Sequence, residues 1–270
     1  MLLHHVGIVV CDPAPLVRLF KALGLRVQPS RPNTNVGAEL TCIDTAPVSI
    51  EIRRPLGEGP IARVLEKRGP GIHHMMFDVD ALPGVVDALR ARGVRFLGGV
   101  QEHPWQLQAW IDPRQAHGGL IELGEVWERM GPRRPRPGEP TVGHLGWAVR
   151  DLQAARAFFL TLGLPVDRSG PDTAVFAADE AAVRCSPCTI SLKAPSGPGP
   201  FARFLEKKGP GLHHLMLRVQ DIGGTARAVR DAGLRLAFDE PLDEGFALTQ
   251  FVHPKDTGGV LMELGEARPR

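Results

Sequence analysis

The chain of 270 residues contains no tyrosine, which excludes any mechanism built on a phenolic acid or base. Cysteine is scarce too. The four, Cys11, Cys42, Cys185 and Cys188, are too few to staple a chain of this length and fit a reducing compartment. No apolar run approaches the length of about 18 to 20 residues that a membrane span needs. The start, Met1-Leu2-Leu3-His4-His5, has no basic segment leading into an apolar one, so it does not read as a secretory signal. Neither sign of charge dominates: 32 Lys+Arg stand against 30 Asp+Glu, a formal net charge of +2. Charge alone therefore gives no attraction to nucleic acid or to an anionic membrane. These absences set the expectation of a cytoplasmic protein that binds neither. What is present, 43% hydrophobic and 23% charged residues, describes a globular chain long enough for two small domains.

The chain is written twice. Residues 57–74, GEGPIARVLEKRGPGIHH, match residues 197–214, GPGPFARFLEKKGPGLHH, at 13 of 18 positions, where chance allows roughly one. The repeat extends outward: HVGIVV from His5 pairs with HLGWAV from His144, and GGLIELG around Glu122 with GGVLMELG around Glu263. Two domains are expected, over 1–130 and 141–270, joined by a Pro/Arg-rich linker over 131–140, GPRRPRPGEP. In the first half, apolar spacing predicts helices over Asp12–Leu23 and Leu82–Arg92, with a short one at IARVLEKR. Alternating runs predict strands at HHVGIVV, LRVQ, GAELTCI, VSIEIRR, HHMMFDV, VRFLG, QLQAWID and GGLIELG. Strand, helix and three strands thus recur twice per half. The expected class is α+β, four βαβββ modules.

Strand alternation sorts the polar residues by face. Val6, Ile8 and Val10 oppose His5; Ile50 and Ile52 oppose Glu51; Met75, Phe77 and Val79 oppose His74; Ile121 and Leu123 oppose Glu122. Four metal-competent side chains therefore sit on the face turned away from the helices, one on the first and one on the last strand of each module. His73 and His213 fall on the other face and read as packing or supporting groups. Cys185-Ser186-Pro187-Cys188 has no partner pair and reads as structural rather than as a redox or zinc motif.

With HVGIVV, GPIARVLEKRGPGIHHMMFDV and GGLIEL in the first half, and their counterparts in the second, the chain resembles the vicinal oxygen chelate superfamily of glyoxalases, bleomycin-resistance proteins and dioxygenases. Each half is most similar to methylmalonyl-CoA epimerase. The resemblance implies modules paired into two cups, each built to hold one divalent metal. His5, Glu51, His74 and Glu122 match the four ligand positions and suit Mn, Fe, Co, Ni or Zn. In the second half His144, His214 and Glu263 match, but Ser191 stands where Glu51 would be, leaving either a relic or a three-ligand site. Glu39 matches the epimerases' catalytic glutamate, and its counterpart within TAVFAADE is expected to be an alanine. The turn before the last strand pair, GVQEHPWQLQAWIDP, departs from the epimerase pattern.

The implied reaction is proton transfer alpha to a metal-chelated carbonyl, with Glu39 and Glu122 as the two bases. The substrate is a small molecule with vicinal oxygens, a carbonyl beside a carboxylate or thioester. Two alternatives stand beside it: a non-haem Fe(II) dioxygenase using His144, His214 and Glu263, and a non-catalytic small-molecule binding or resistance protein. The fused repeat implies either a monomer that is a pseudo-dimer or a homodimer.

Overall fold

The computed structural model describes residues 1–127, 134–171 and 176–268, so residues 131–133 of the expected linker lie outside the described residues. The first half runs β1 (Leu2–Val9), α1 (Ala14–Ala22), β2 (Arg26–Val27), β3 (Arg31–Asn33), β4 (Ala38–Asp44), β5 (Ser49–Pro55), α2 (Pro60–Arg68), β6 (Gly71–Asp78), α3 (Leu82–Ala91), β7 (Gln101–His103), β8 (Gln106–Ile111) and β9 (Leu120–Val126). The second runs β10 (Thr141–Ala148), α4 (Leu152–Thr161), β11 (Val166–Pro171), β12 (Ala178–Cys185), β13 (Cys188–Pro195), α5 (Pro200–Lys208), β14 (Gly211–Arg218), α6 (Ile222–Asp231), β15 (Leu242–Asp243), β16 (Ala247–Val252) and β17 (Leu261–Ala267).

Two mixed sheets result. One is ordered β2-β4-β5-β1-β6-β9-β8-β7, with β3 also on β4, and the other β11-β12-β13-β10-β14-β17-β16-β15. In both, the opening strands of the two modules sit at the centre and the hairpins run outward. The fold is α+β, built of four βαβββ modules. No helix among the described residues is long and apolar enough to cross a membrane.

Local chemistry explains the elements. In α1 the apolar residues Leu16, Leu19 and Phe20 are buried on one face, and Gly24 takes φ +73 just past the helix, where a side chain would be strained. Helices α4 and α6 begin at Asp151 and Asp221, whose carboxylates accept from the backbone N–H of Ala154 and Gly224. The expected strand VRFLG does not form as such. Phe96 makes only an isolated bridge to Ile111, Gly98 turns the chain at φ +78, and Gln101–His103 pairs with β8 instead.

The chain gathers into two compact units, Met1–His5 with His73–Gly131 and His144–His213, and Val6–Ile72 with Pro132–Gly143 and His214–Arg270. Each unit draws on both halves of the sequence. In the first, Trp147 is fully buried, meets Phe159 edge-on at 5.3 Å and donates from Nε1 to the His117 carbonyl at 3.1 Å. A Cβ on Gly119 would lie 2.0 Å from its ring, and one on Gly118 would lie 1.9 Å from the Pro210 carbonyl oxygen. In the second unit a Cβ on Gly259 would lie 2.5 Å from the Pro70 ring. The recurring GPG and GG motifs are therefore partners: the proline of one half rests on the glycines of the other.

Candidate metal centre

His5 comes from β1, His74 from β6 and Glu122 from β9, the last two held in parallel register with Met76 opposite Glu122. Alternation turns the apolar neighbours Met75, Phe77, Ile121 and Leu123 into the core, all fully buried. It sends the three polar side chains to the other face, where they too are buried, at 5%, 0% and 2% exposure. The His5 and His74 Nε2 atoms are 3.1 Å apart, and His74 Nε2 is 3.6 Å from Glu122 Oε2. One nitrogen or oxygen from each of the three lies within 4.8 Å of the others.

The far sides of these groups are engaged. His4 Nδ1 is 3.0 Å from His5 Nδ1, and His73 Nδ1 is 2.9 Å from His74 Nδ1. The buried Gln106 donates from Nε2 to Glu122 Oε1 at 2.7 Å, and Trp110 meets the His74 ring edge-on at 5.5 Å. Contacts on the outer nitrogens leave both Nε2 atoms turned inward, the way ligating imidazoles are oriented. Metal–nitrogen bonds of about 2.1 Å from both rings would span the observed 3.1 Å at roughly 95°, so the donor set fits a small divalent ion.

In the second half, His214 Nε2 lies 3.0 Å from Glu263 Oε2 within one compact unit, and His144 belongs to the other. The surroundings differ. His213 packs on Phe201 and Phe204, with ring centroids 4.5 and 4.7 Å away. Phe251 stands opposite Glu263 where Trp110 stands opposite Glu122, and Ala247 takes the place of Gln106.

Glu51, the fourth expected ligand, belongs to the other compact unit from His5, His74 and Glu122, and accepts from Arg53 at 2.7 Å. The Arg53 side chain is buried, and its Nε has no hydrogen-bond partner among the described residues. Glu39 accepts from Arg54 at 3.0 Å. Register places Glu39 opposite Arg54 and Glu51 opposite Cys42, so the two carboxylates leave the β4–β5 hairpin on opposite faces. Glu39 shares the face of Ile43, Ile50 and Ile52, all buried.

The expectation of an alanine counterpart to Glu39 is corrected. Asp179 stands opposite Ala194 as Glu39 stands opposite Arg54, because the hairpin offset is constant. Ser191 donates to Glu180 Oε1 at 2.8 Å, and Lys193 Nζ lies 3.1 Å from Glu180 Oε2. Cys185 and Cys188 face each other across the β12–β13 turn with their sulfurs 3.7 Å apart. The Cys188 contact and burial push the Cys185 thiol far up, so it stays protonated and unreactive. Burial likewise pushes the Cys42 thiol up to about 11, helped by nearby Glu51.

Paired imidazoles and a carboxylate on the strands of a duplicated βαβββ fold define a class of metal-competent, small-molecule proteins. The chain belongs to the Glyoxalase/Bleomycin resistance protein/Dioxygenase superfamily, whose model matches residues 4–107 and 143–252. It is 33% identical over 133 residues to an ethylmalonyl-CoA/methylmalonyl-CoA epimerase of Cereibacter sphaeroides, covering 46% of this chain and 97% of that one. It is 32% identical over 130 residues to the human mitochondrial methylmalonyl-CoA epimerase, covering 47% of this chain and 73% of that one. In fold it matches a mutant 4-hydroxymandelate synthase from Streptomyces coelicolor, with a TM-score of 0.77 at 19% identity, over 100% of this chain and 94% of that one.

Proposed function

We propose that the protein is a divalent-metal-dependent isomerase or epimerase that moves a proton at the carbon beside a chelated carbonyl of a small molecule with vicinal oxygens. The observation that carries this reading is the buried His5, His74 and Glu122 group, with two Nε2 atoms 3.1 Å apart and turned toward one another. The 33% identity over 133 residues to an ethylmalonyl-CoA/methylmalonyl-CoA epimerase supports it. A divalent ion here acts as a Lewis acid that polarises the carbonyl and acidifies the neighbouring C–H.

The chain's own residues do the rest. His5 and His74 hold the ion, oriented by His4 and His73. Glu122 keeps Oε1 on Gln106 and has Oε2 on the histidine side, so it serves as both ligand and proton acceptor, taking the α-proton and returning it. Delivery of the proton to the neighbouring carbon gives isomerisation, whereas inversion at the same carbon takes the returning proton from solvent on the opposite face. Glu39, the expected second base, is held by Arg54 on the Ile50 and Ile52 face, so Glu122 alone carries the proton in this reading. The test is α-proton exchange in heavy water, followed by NMR, on a panel of 2-carboxyacyl thioesters that includes ethylmalonyl-CoA and methylmalonyl-CoA. Glu122→Gln should abolish exchange and Glu39→Gln should retain it. Loss on Glu39→Gln with metal still bound would restore the two-base scheme.

A second reading takes the sequence matches His144, His214 and Glu263 as a two-histidine, one-carboxylate set of the kind non-haem Fe(II) oxygenases use. It predicts oxygen uptake by the Fe(II)-loaded protein with a phenol or 2-oxo acid. The absence of tyrosine weighs against it.

A further inference from the structure

Strand β8 carries a row of polar side chains that ends on the candidate metal centre. Register sets Trp110 opposite Glu122, Gln108 opposite Gly124 and Gln106 opposite Val126, so these three side chains share the face of Glu122. The edge strand β7 extends that face, with His103 opposite Gln106 and Gln101 opposite Gln108. Trp110 Nε1 can only donate, so the Gln108 amide atom 3.2 Å from it is the oxygen. The same oxygen accepts from His103 Nε2 at 2.7 Å, which puts the His103 proton on that nitrogen. The Gln108 nitrogen then donates to Glu122 Oε1 at 3.3 Å, the oxygen to which Gln106 donates at 2.7 Å. All of these residues lie in one compact unit with His5 and His74.

His103 is itself held in place. Its ring stacks on Trp105, with centroids 5.9 Å apart and planes 23° from parallel, and its carbonyl accepts from Trp127 Nε1 at 3.2 Å. The strand pairing does not need this row. The second half builds the same pairing of β15, β16 and β17 with Ala247, Thr249 and Phe251 in the places of Gln106, Gln108 and Trp110, and Leu242 in that of Gln101. Alanine, phenylalanine and leucine offer no polar side-chain atom, so the fold forms without the amides. What the row does serve is Glu122. Two amide N–H groups on Oε1 fix the plane of the carboxylate and leave Oε2 on the His74 side, at 3.6 Å from its Nε2. With the Gln108 amide turned end for end, two oxygens would face each other, and the His103 N–H opposes that turn.

We propose that His103 is a positioning residue for Glu122: its Nε2–H fixes the Gln108 amide, and Gln108 with Gln106 fixes the carboxylate that serves as ligand and proton acceptor. This rests on the reading of His5, His74 and Glu122 as a metal centre. The test compares His103→Phe, which keeps a ring on Trp105 but has no donor, with His103→Gln, which keeps a donor. Both are loaded with Co(II) and read by binding stoichiometry and visible ligand-field spectrum, with circular dichroism as the check on folding. The kcat and KM of α-proton exchange are measured on methylmalonyl-CoA and ethylmalonyl-CoA. His103→Phe should bind as many ions as the wild type, shift the spectrum of the ion lost on His5→Ala, and lower kcat about tenfold at unchanged KM. His103→Gln should restore the spectrum and most of the kcat.

Because His103 acts through Gln108, the two should not add: His103→Phe with Gln108→Leu should be no worse than Gln108→Leu alone. Additive losses would overturn the proposal. So would a wild-type spectrum and kcat in His103→Phe, or equal losses in His103→Phe and His103→Gln. If His103→Phe does not fold, His103→Ala is read in its place by the same criteria. A shifted spectrum in His103→Phe with no exchange by the wild type would sink the proton-transfer reading and leave the hold of His103 on Glu122 standing. Absence of any Co(II) lost on His5→Ala would sink both.

Discussion

Glu122 is engaged at both oxygens: Gln106 donates to one and the His74 ring faces the other. Both partners are buried, and Gln106→Leu removes the 2.7 Å hydrogen bond to Glu122 Oε1. Loss of such a supporting contact lowers metal affinity by roughly tenfold or more; titration with Zn(II) or Co(II) checks this, and unchanged affinity would show that Gln106 only fills space. The candidate ligands themselves were legible as single letters. Alternation puts His5, His74 and Glu122 opposite runs of valine, isoleucine, methionine and phenylalanine, and the structure buries those runs. Gln106 was not legible, because its tie to Glu122 spans two strands and depends on a register that the sequence does not state.

Elements explain why the closing strands hold their place. The turn from β16 into β17 is clasped by Asp256, which accepts from the Arg235 backbone N–H at 2.8 Å and from its guanidinium at 2.7 and 2.9 Å. The Arg235 side chain and backbone hydrogen bonds hold the Asp256 carboxyl down from 3.8 to about 2. A carboxylate whose folded pKa is depressed adds stability above its unfolded pKa and loses it as pH falls through the folded value. The clasp's contribution should be full at neutral pH and disappear between about 4 and about 2. Because the pair is at the surface, it is worth about 1 kcal/mol or less. Thermal melts of Asp256→Asn should differ from wild type near pH 7 and converge as the pH falls to about 1, below the folded pKa; a constant difference would mean that packing, not charge, holds the turn. The first half uses Gln115 on the Arg95 N–H at the corresponding place, an uncharged version of the same clasp. Helices were legible from spacing and end signals, but β7 was not. Its three residues, Gln101–His103, are polar and form a strand only because β8 offers an edge.

The whole molecule depends on the two halves meeting through small, repeated contacts. Gly119 leaves room for the Trp147 ring, so Gly119→Ala puts a methyl into a filled core and should cost about 1–3 kcal/mol of stability. A denaturant titration reads this directly, and a change near zero would mean that Trp147 can move aside. Duplication was plain in the sequence, whereas the exchange of modules between halves was not. Nothing in GPG or GG by itself says that the proline of one half lies on the glycine of the other. The account's central claim is that His5, His74 and Glu122 hold a divalent ion on which proton transfer depends. Its most direct test is the metal content of the purified protein beside that of His74→Ala, with α-proton exchange measured on both. The account predicts one ion fewer and no exchange in His74→Ala, while His144→Ala keeps that ion. Full metal content and exchange in His74→Ala would contradict it.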